Sequence, residues 1–173
     1  EKVSHMQEFH RPSVSIDNKR ERFQQMLSLV RGMEPIPTAV AHPCDKESLK
    51  GPVIAFHEGI IEPILVGPES RIRGVAEEFG IDLHGIRIVN AKHSHDAAAI
   101  AVSLVRTGDA EALMKGSLHT DELMAEVVAR ANGLRTARRI SHVFLMNVPT
   151  YHRPLLITDA AINIAPTLED KVD

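Results

Sequence analysis

The sequence of 173 residues has one cysteine, Cys44, one tyrosine and no tryptophan. A single cysteine excludes a disulfide framework within the chain, and no apolar run is long enough for a membrane span. So few aromatic side chains give no stacking platform for single-stranded nucleic acid, and a formal net charge of -3 gives no basic field. The sequence therefore predicts a cytoplasmic protein that binds neither nucleic acid nor membrane.

The first 36 residues have a less regular pattern of apolar residues than the rest of the chain. After a mixed polar lead, the run "RERFQQMLSLVRGM" places Phe23, Met26, Leu27 and Val30 at helical spacing. Proline punctuates "EPIPT" at 34–38, which suits a connection rather than a helix or a strand. Residues 1–36 are therefore predicted to form an N-terminal linker with one helix.

A regular alternation of apolar strands and helices begins at Thr38 and predicts an α/β domain over residues 37–140 with a three-layer parallel sheet. Helices are expected to start near Asp45, Glu69 and Asp96, and a last one is expected to run from an N-cap at Thr120 to Gly133, burying Val128. The predicted strands are "TAVAH", "IEPILVG", "IRIVNA" and "EALMKG".

The pattern changes again after Gly133. "LRTARRISHVFLMNVPT" and "RPLLITDAAINIAP" each predict a further strand, compatible with a hairpin or with a crossing between domains. The final "PTLEDKVD" suits a helix start, but the sequence ends before a second turn. The pattern therefore indicates a chain that is cut within this region.

The loop "KGSLHT" after the fourth strand is the most polar of the strand-end loops, where parallel α/β sheets bind their ligands. It combines a cation, a flexible backbone position, two hydroxyls and an imidazole, a set that suits phosphate. A simpler interpretation assigns these residues to a turn, a helix cap and the solvated surface. The acidic Asp121 and Glu122 count against an anion on the helix axis. The candidate residues are Lys115, Gly116, Ser117, His119 and Thr120.

Arg135 is a second candidate, because a guanidinium can bind two phosphate oxygens at once. The alternative is that it is one of several solvated arginines beside a helix end. Asp159 and Asn163 lie among small residues in "LLITDAAINIAPT", which leaves the backbone accessible to a ligand. A strand leading into a loop would explain that stretch equally well.

Other reactive side chains have weaker support. His93, His95 and Asp96 are competent metal ligands, but a helix start explains "KHSHD" more simply, so no metal site is predicted. Cys44 has no identifiable base partner for a nucleophile. The sequence contains no GxGxxG, P-loop or HExxH motif.

Three stretches resemble the phosphate acetyltransferase and phosphate butyryltransferase family: "ALMKGSLHTDELMAEVV", "GLRTARRISHVFLMNVP" and "RPLLITDAAINIAPTLEDK". The closest likeness is to the acyltransferase half of bacterial bifunctional enoyl-CoA hydratase/phosphate acetyltransferase proteins. It runs from about Pro37 to Asp173, and residues 1–36 look like the linker after the hydratase half.

This resemblance implies acyl transfer between coenzyme A and inorganic phosphate through an acyl phosphate, without a cofactor. It also implies two α/β domains of the isocitrate dehydrogenase-like type, with residues 141–173 as the truncated start of the second domain. A cleft active site and a homodimer are implied as well. The phosphate-side motif would fall on Ser117, His119 and Thr120, and the acyl phosphate-binding arginine on Arg135. The family continues beyond this chain, so we expect a fragment with little or no activity alone.

Two alternatives remain open on the residues. One is a metal- and NAD-dependent dehydrogenase of the related two-domain fold, which lacks support from an aspartate cluster or a nucleotide motif. The other is a non-catalytic module that binds acyl phosphate. Acyl transfer would distinguish the expected enzyme from both.

Overall fold

The computed structural model describes residues 17–148, 151–159 and 162–172. The chain divides into two compact units. One unit contains residues 30–138, and the other contains residues 1–29 together with residues 139–173. The domain boundaries drawn from the sequence, after residues 36 and 140, stay predictions. No helix in the described ranges is both long and apolar enough to span a membrane.

The described residues form six helices and six strands. The helices are α1 (Asp17–Val30), α2 (Lys46–His57), α3 (Glu69–Phe79), α4 (Ser94–Thr107), α5 (Thr120–Val127) and α6 (Leu168–Val172). The strands are β1 (Ile36–Ala41), β2 (Ile61–Gly67), β3 (Arg87–Asn90), β4 (Ala112–Lys115), β5 (Val143–Met146) and β6 (Leu155–Thr158).

Unit 30–138 is built on a four-stranded parallel sheet with the order β3-β2-β1-β4. Strand β1 is central: Ile36 pairs with Ile61 of β2, and Thr38 pairs with Ala112 of β4. Because all four strands run the same way, the ends of β1 and β4 meet at one edge of the sheet, where ligand loops gather in α/β proteins. This register brings the loop after Lys115 beside the loop after Ala41.

Apolar residues cover both faces of this sheet, as the near-continuous apolar strands require. On one face, Ala39 and Val66 pack with the small residues of α4 and with Leu123 of α5. On the other face, Val40 and Leu65 pack with Leu49 of α2 and with residues of α3. The three predicted layers are therefore present as helices, sheet and helices.

The strands and the first helices lie close to their predicted positions. Strand β2 matches its predicted range, and α2 begins after Asp45, whose carboxylate accepts from Ser48 N at 2.9 Å in a capping box. Helix α4 begins at Ser94, two residues before Asp96, and the His93 side chain at its N-cap accepts from Asp96 N at 3.2 Å.

The predicted extent of the last helix was wrong. Helix α5 has His119 at the N-cap instead of Thr120, and it ends at Val127, six residues before Gly133. The chain then folds back, and Leu134 N donates to Val127 O at 2.8 Å. Val128, expected to be buried, is 39% exposed. This reverse turn gives the Val127 carbonyl at the helix end a hydrogen-bond donor, as a further helical turn would have done.

The second unit contains an antiparallel pair, β5 with β6, in which Val143 pairs with Thr158. This is the hairpin that the sequence allowed. Arg22 of α1 donates to Tyr151 O at 2.7 Å within the same unit. Several large apolar side chains of the described hairpin and of α6 are exposed: Val143, Phe144, Leu145, Met146, Leu156, Leu168 and Val172.

The capping box of α2 makes stability depend on pH. The Ser48 N–H lowers the pKa of Asp45 below its ordinary value of 3.8, so the cap stabilises fully above that pH and is lost as the pH falls through the lowered pKa. Replacing Asp45→Ala should lower the free energy of unfolding by about 1 kcal/mol at pH 7. Urea unfolding at pH 7 and below pH 3.8 measures this loss. The difference in the free energy of unfolding between the variant and wild type should shrink in acid.

The exposed first-turn acid Glu47 provides the matched control, since it interacts with the helix dipole without capping it. Glu47→Ala should cost only about 0.3 kcal/mol. Equal losses in the two variants would mean that dipole charge, and not the cap bond, stabilises this end of α2.

Candidate active site

Two backbone hydrogen bonds join the loop after β4 to the end of β1. Gly116 N donates to Ala41 O at 2.8 Å, and Ser117 N donates to His42 O at 2.9 Å. A Cβ on Gly116 would lie 2.4 Å from Ala41 O and 2.5 Å from His42 O, and both are backbone atoms. Only glycine allows this close approach to the protein's own backbone, and the predicted role of Gly116 in substrate binding stays a prediction.

His42 is the centre of this junction. Its N–H donates to Val66 O of β2 at 2.7 Å, and its carbonyl accepts from both Ser117 N and Cys44 N. The residue is 8% exposed and has a φ of 55°, in the left-handed region that non-glycine residues seldom occupy. This backbone conformation turns its carbonyl and its ring toward the loop after β4.

The hydroxyl of Ser117 has three partners. Its Oγ lies 2.8 Å from His42 O, 3.1 Å from His42 Nδ1 and 3.3 Å from Cys44 N. A hydroxyl donates one hydrogen bond and accepts two. The set is complete when Oγ donates to the carbonyl and accepts from a protonated Nδ1 and from the Cys44 N–H.

Charges of both signs surround His42. Burial and the guanidinium of Arg71, in the first turns of α3, lower the pKa of His42, while the carboxylates of Glu122 and Asp45 partly oppose this. The imidazole is therefore neutral at pH 7 and carries one N–H. The Glu122 carboxylate also lies 3.9 Å from His95 Nε2.

Lys115 is folded over the loop that follows it. Its Nζ donates to Leu118 O at 2.9 Å and to Gly116 O at 3.3 Å. The ammonium is thus held beside the Ser117–Thr120 loop by two carbonyls of that loop. This position adds a positive charge to the predicted phosphate side.

His119 and Thr120 are exposed at the start of α5. His119 occupies the N-cap, but no side chain caps this helix end. The first N–H groups of a helix lack intrahelical partners and favour an anion. Asp121 and Glu122 lie in the same first turn and oppose this field, as the sequence analysis anticipated.

Arg135 lies at the opposite end of α5. Leu134, its neighbour in sequence, is bonded to Val127 at the end of the helix, whereas the candidate loop leads into Thr120 at the start. Seven residue steps of helix separate these ends by about 10 Å. Arg135 is exposed, and the described unit does not bring its backbone next to the loop.

Asp159 and Asn163 lie in the other compact unit, and they contact each other there. Asp159 Oδ1 accepts from Asn163 N at 3.3 Å, and Asn163 Nδ2 donates to Ile140 O at 3.1 Å. Asp159 has a φ of 53°, which is uncommon for a non-glycine residue. In the described structure both side chains make hydrogen bonds within this unit, and their predicted role in substrate binding stays a prediction.

The histidines of "KHSHD" act in the structure as helix-start groups. His93 caps α4, and His95 faces Glu122. Among the residues that the structure describes, no three histidine, cysteine, aspartate or glutamate side chains group as metal ligands. The Cys44 thiol is buried, and burial raises its pKa to about 11.

Sequence reasoning missed two residues of this site, His42 and Arg71. His42 follows a predicted strand in "TAVAH", so its position at a ligand-side strand end was a usable signal. Its inward orientation depends on the left-handed backbone, which no sequence pattern indicated. Arg71 lies in an ordinary-looking helix start, and its proximity to His42 appears only in the tertiary structure.

The parallel sheet with helices on both faces defines this unit as an α/β protein, a class that binds ligands at the carboxyl ends of its strands. A family model described as Phosphate acetyl/butaryl transferase matches residues 92–173. This match is to the same family as the resemblance seen in the sequence, and it confirms that resemblance.

Known proteins extend the likeness over most of the chain. A phosphate acetyltransferase of Rickettsia prowazekii is 54% identical over 157 residues, covering 91% of this chain and 45% of the relative. A phosphate butyryltransferase of Clostridium acetobutylicum is 35% identical over 151 residues, covering 87% of this chain and 50% of the relative. This chain therefore spans about half the length of the curated relatives it matches.

A solved phosphotransacetylase from Streptococcus pyogenes has the same fold. Its TM-score is 0.70 at 19% identity, and the match covers 90% of this chain and 55% of the solved one. The predicted fold class, a three-layer parallel α/β sheet of the isocitrate dehydrogenase-like type, is confirmed.

The close approach at Gly116 predicts a large effect of one added methyl group. Gly116→Ala should lower the free energy of unfolding by about 2 kcal/mol, because the new Cβ meets two fixed carbonyl oxygens. Gly74→Ala, in α3 with no atom within 4 Å of its Cβ, should raise stability by about 0.5 kcal/mol. Urea unfolding of both variants measures this, and a neutral Gly116→Ala would show that the two loops separate easily.

The raised pKa of Cys44 predicts an unreactive thiol. Because the thiolate is the nucleophile, alkylation by iodoacetamide at pH 7 should be slower than that of free cysteine by about tenfold or more. Mass spectrometry measures the rate, and denaturation with urea should restore it. Fast alkylation of Cys44 in the folded protein would instead support a nucleophilic role for its thiol.

Proposed function

We propose that this chain forms the phosphate side of the active site in a phosphate acyltransferase, which transfers an acetyl or other short acyl group between coenzyme A and inorganic phosphate. The observation that carries the proposal is the 54% identity to a phosphate acetyltransferase over 91% of the chain. The loop Ser117–Thr120, with the open helix end behind it, supplies the groups that such a reaction requires.

The chemistry requires a sulfur nucleophile and a stabilised leaving group. In the direction that forms acyl-CoA, the coenzyme A thiolate attacks the carbonyl carbon of the acyl phosphate and a C–S bond forms. The carbonyl oxygen becomes an oxyanion. The carbonyl then re-forms as the bond between its carbon and the bridging oxygen breaks, and phosphate leaves with the electron pair of that bond. Donors fixed around the carbonyl and the phosphate accelerate such a step.

The residues of the described loop suit the phosphate end of this reaction. Ser117, His119 and Thr120 offer donors, and Lys115 offers a nearby positive charge that is fixed by loop carbonyls. Arg135 would bind the acyl phosphate, which requires that its side chain be brought to the loop in the complete active site. No protein nucleophile takes part, in agreement with the buried thiol of Cys44.

Further parts of the proposal rest on the resemblance alone. Coenzyme A, phosphate and the acyl phosphate are substrates, and no bound cofactor is required. Asp159 and Asn163 are proposed to contact substrate. The complete protein is proposed to be a homodimer in the cytoplasm, and the bifunctional arrangement with a hydratase remains part of the same proposal.

The other two functions considered from the sequence have less support. None of the relatives described above is a dehydrogenase. A binding module would keep the phosphate loop and exchange no acyl group, so an activity measurement separates it from the enzyme.

The decisive experiment follows acetyl phosphate formation from acetyl-CoA and phosphate by the complete protein and by the 173-residue chain. We expect turnover by the complete protein and little or none by the chain alone. Arg135→Ala in the complete protein should lower kcat/KM for acetyl phosphate on the order of a hundredfold, since a charged donor to the substrate is lost.

Arg130→Ala is the matched control, because Arg130 is also an exposed arginine after α5. It should retain wild-type kinetics. Undiminished activity of Arg135→Ala would remove the proposed role of Arg135, and binding of acetyl phosphate without acyl exchange by the complete wild-type protein would favour the binding module.

A further inference from the structure

The strongest unexplained feature of the site is the pair His42 and Ser117. His42 is buried, has a left-handed backbone and holds its Nδ1 atom 3.1 Å from Ser117 Oγ. Left-handed non-glycine residues are maintained only where the surroundings over-determine them, and they concentrate at functional sites. Glycine would adopt this backbone more easily, and the imidazole ring has a specific partner in Ser117 Oγ, which leaves room for a role of the side chain.

The hydrogen bonds of Ser117 show what that role is. The neutral imidazole has one N–H, and when this is at Nδ1 it donates to Ser117 Oγ while the Cys44 N–H donates to the same atom. Both lone pairs of Oγ are then occupied. Its single O–H is the only part of the hydroxyl that can change partner.

That O–H points to His42 O in the described structure, yet the carbonyl does not depend on it. His42 O also accepts from Ser117 N at 2.9 Å, and it shares the Cys44 N–H, 2.9 Å away, with Ser117 Oγ. The Ser117 O–H can therefore rotate from this carbonyl to a ligand without leaving a buried acceptor unpaired.

We propose that His42 is a positioning residue: its Nδ1–H fixes Ser117 Oγ as an acceptor, so that the hydroxyl hydrogen turns to the phosphate of the substrate. This inference rests on the proposed function, because it concerns the same phosphate loop. A donor hydrogen bond into Oγ also polarises the hydroxyl and makes its O–H a stronger donor. His42 itself does not need to touch the substrate.

The test uses three variants of the complete protein: His42→Gly, His42→Asn and Ser117→Ala. His42→Gly relieves the left-handed backbone and removes the ring. His42→Asn also tolerates this backbone, and its amide N–H can take the place of Nδ1–H. His84→Gly, which removes an exposed histidine in a turn, is the control and should retain wild-type kinetics.

We expect His42→Gly to lower kcat/KM for acetyl phosphate by about tenfold or more, with the KM for coenzyme A close to the wild-type value and thermal stability retained. His42→Asn should recover most of this loss. Adding His42→Gly to Ser117→Ala should cause little further loss, because the two residues act through one hydroxyl.

Three outcomes would overturn the inference: wild-type kcat/KM in His42→Gly, equal losses in the glycine and asparagine variants, or additive losses with Ser117→Ala. A purely structural role for His42 predicts the last two, together with a fall in the melting temperature.

Titration calorimetry with inorganic phosphate separates failure of this inference from failure of the proposed function. If the wild-type protein binds phosphate but transfers no acyl group, the proposed function fails, and the affinities of the same variants still test His42. If the wild-type protein neither binds phosphate nor transfers an acyl group, both proposals are overturned.

Discussion

The candidate site depends on the contact between the end of β1 and the loop after β4. Gly116 approaches the carbonyls of Ala41 and His42 more closely than any side chain would allow. Two backbone hydrogen bonds then hold Ser117 against His42. Because of this junction, the Ser117–Thr120 loop starts from a fixed point and enters α5 with its first N–H groups uncapped. The polar groups of the loop are therefore presented by a rigid sheet edge.

The same junction separates two kinds of residue within one polar loop. Ser117 and Lys115 are exposed but bond to the protein itself, to His42 and to Leu118 respectively, and His119 and Thr120 are exposed at the start of α5. Some atoms of "KGSLHT" thus hold the loop in place, as the turn-and-cap interpretation expects. Other atoms of the same stretch are accessible to a phosphate, as the functional interpretation expects. Ser117 combines them, because its Oγ is anchored by acceptor contacts and its hydrogen remains free to change partner.

Much of the fold was predictable because its signals are local. Strand β2 is an apolar run closed by a glycine, and α2 begins at a residue with the side chain of a strong N-cap, so both were located from neighbouring residues. The end of α5 was not predictable in this way. Its apolar spacing continues to Val128, but the chain turns back so that Leu134 bonds to Val127, a contact between residues seven apart in the sequence.

The sequence by itself determined the parallel α/β class, since strand periodicity is visible in consecutive residues. Its strand-end loops also predicted a ligand edge of the sheet and most of the candidate residues. Tertiary structure alone decided that His42 turns inward to Ser117, that Arg71 lies near it, and that Arg135 is at the far end of α5 from the loop. These relations join residues from separate strands and helices. The contact of His42 with Ser117 follows from the register of β1 with β4 and from one left-handed backbone angle. The position of Arg135 follows from the reverse turn after α5, and none of these features produces a periodic pattern in the sequence.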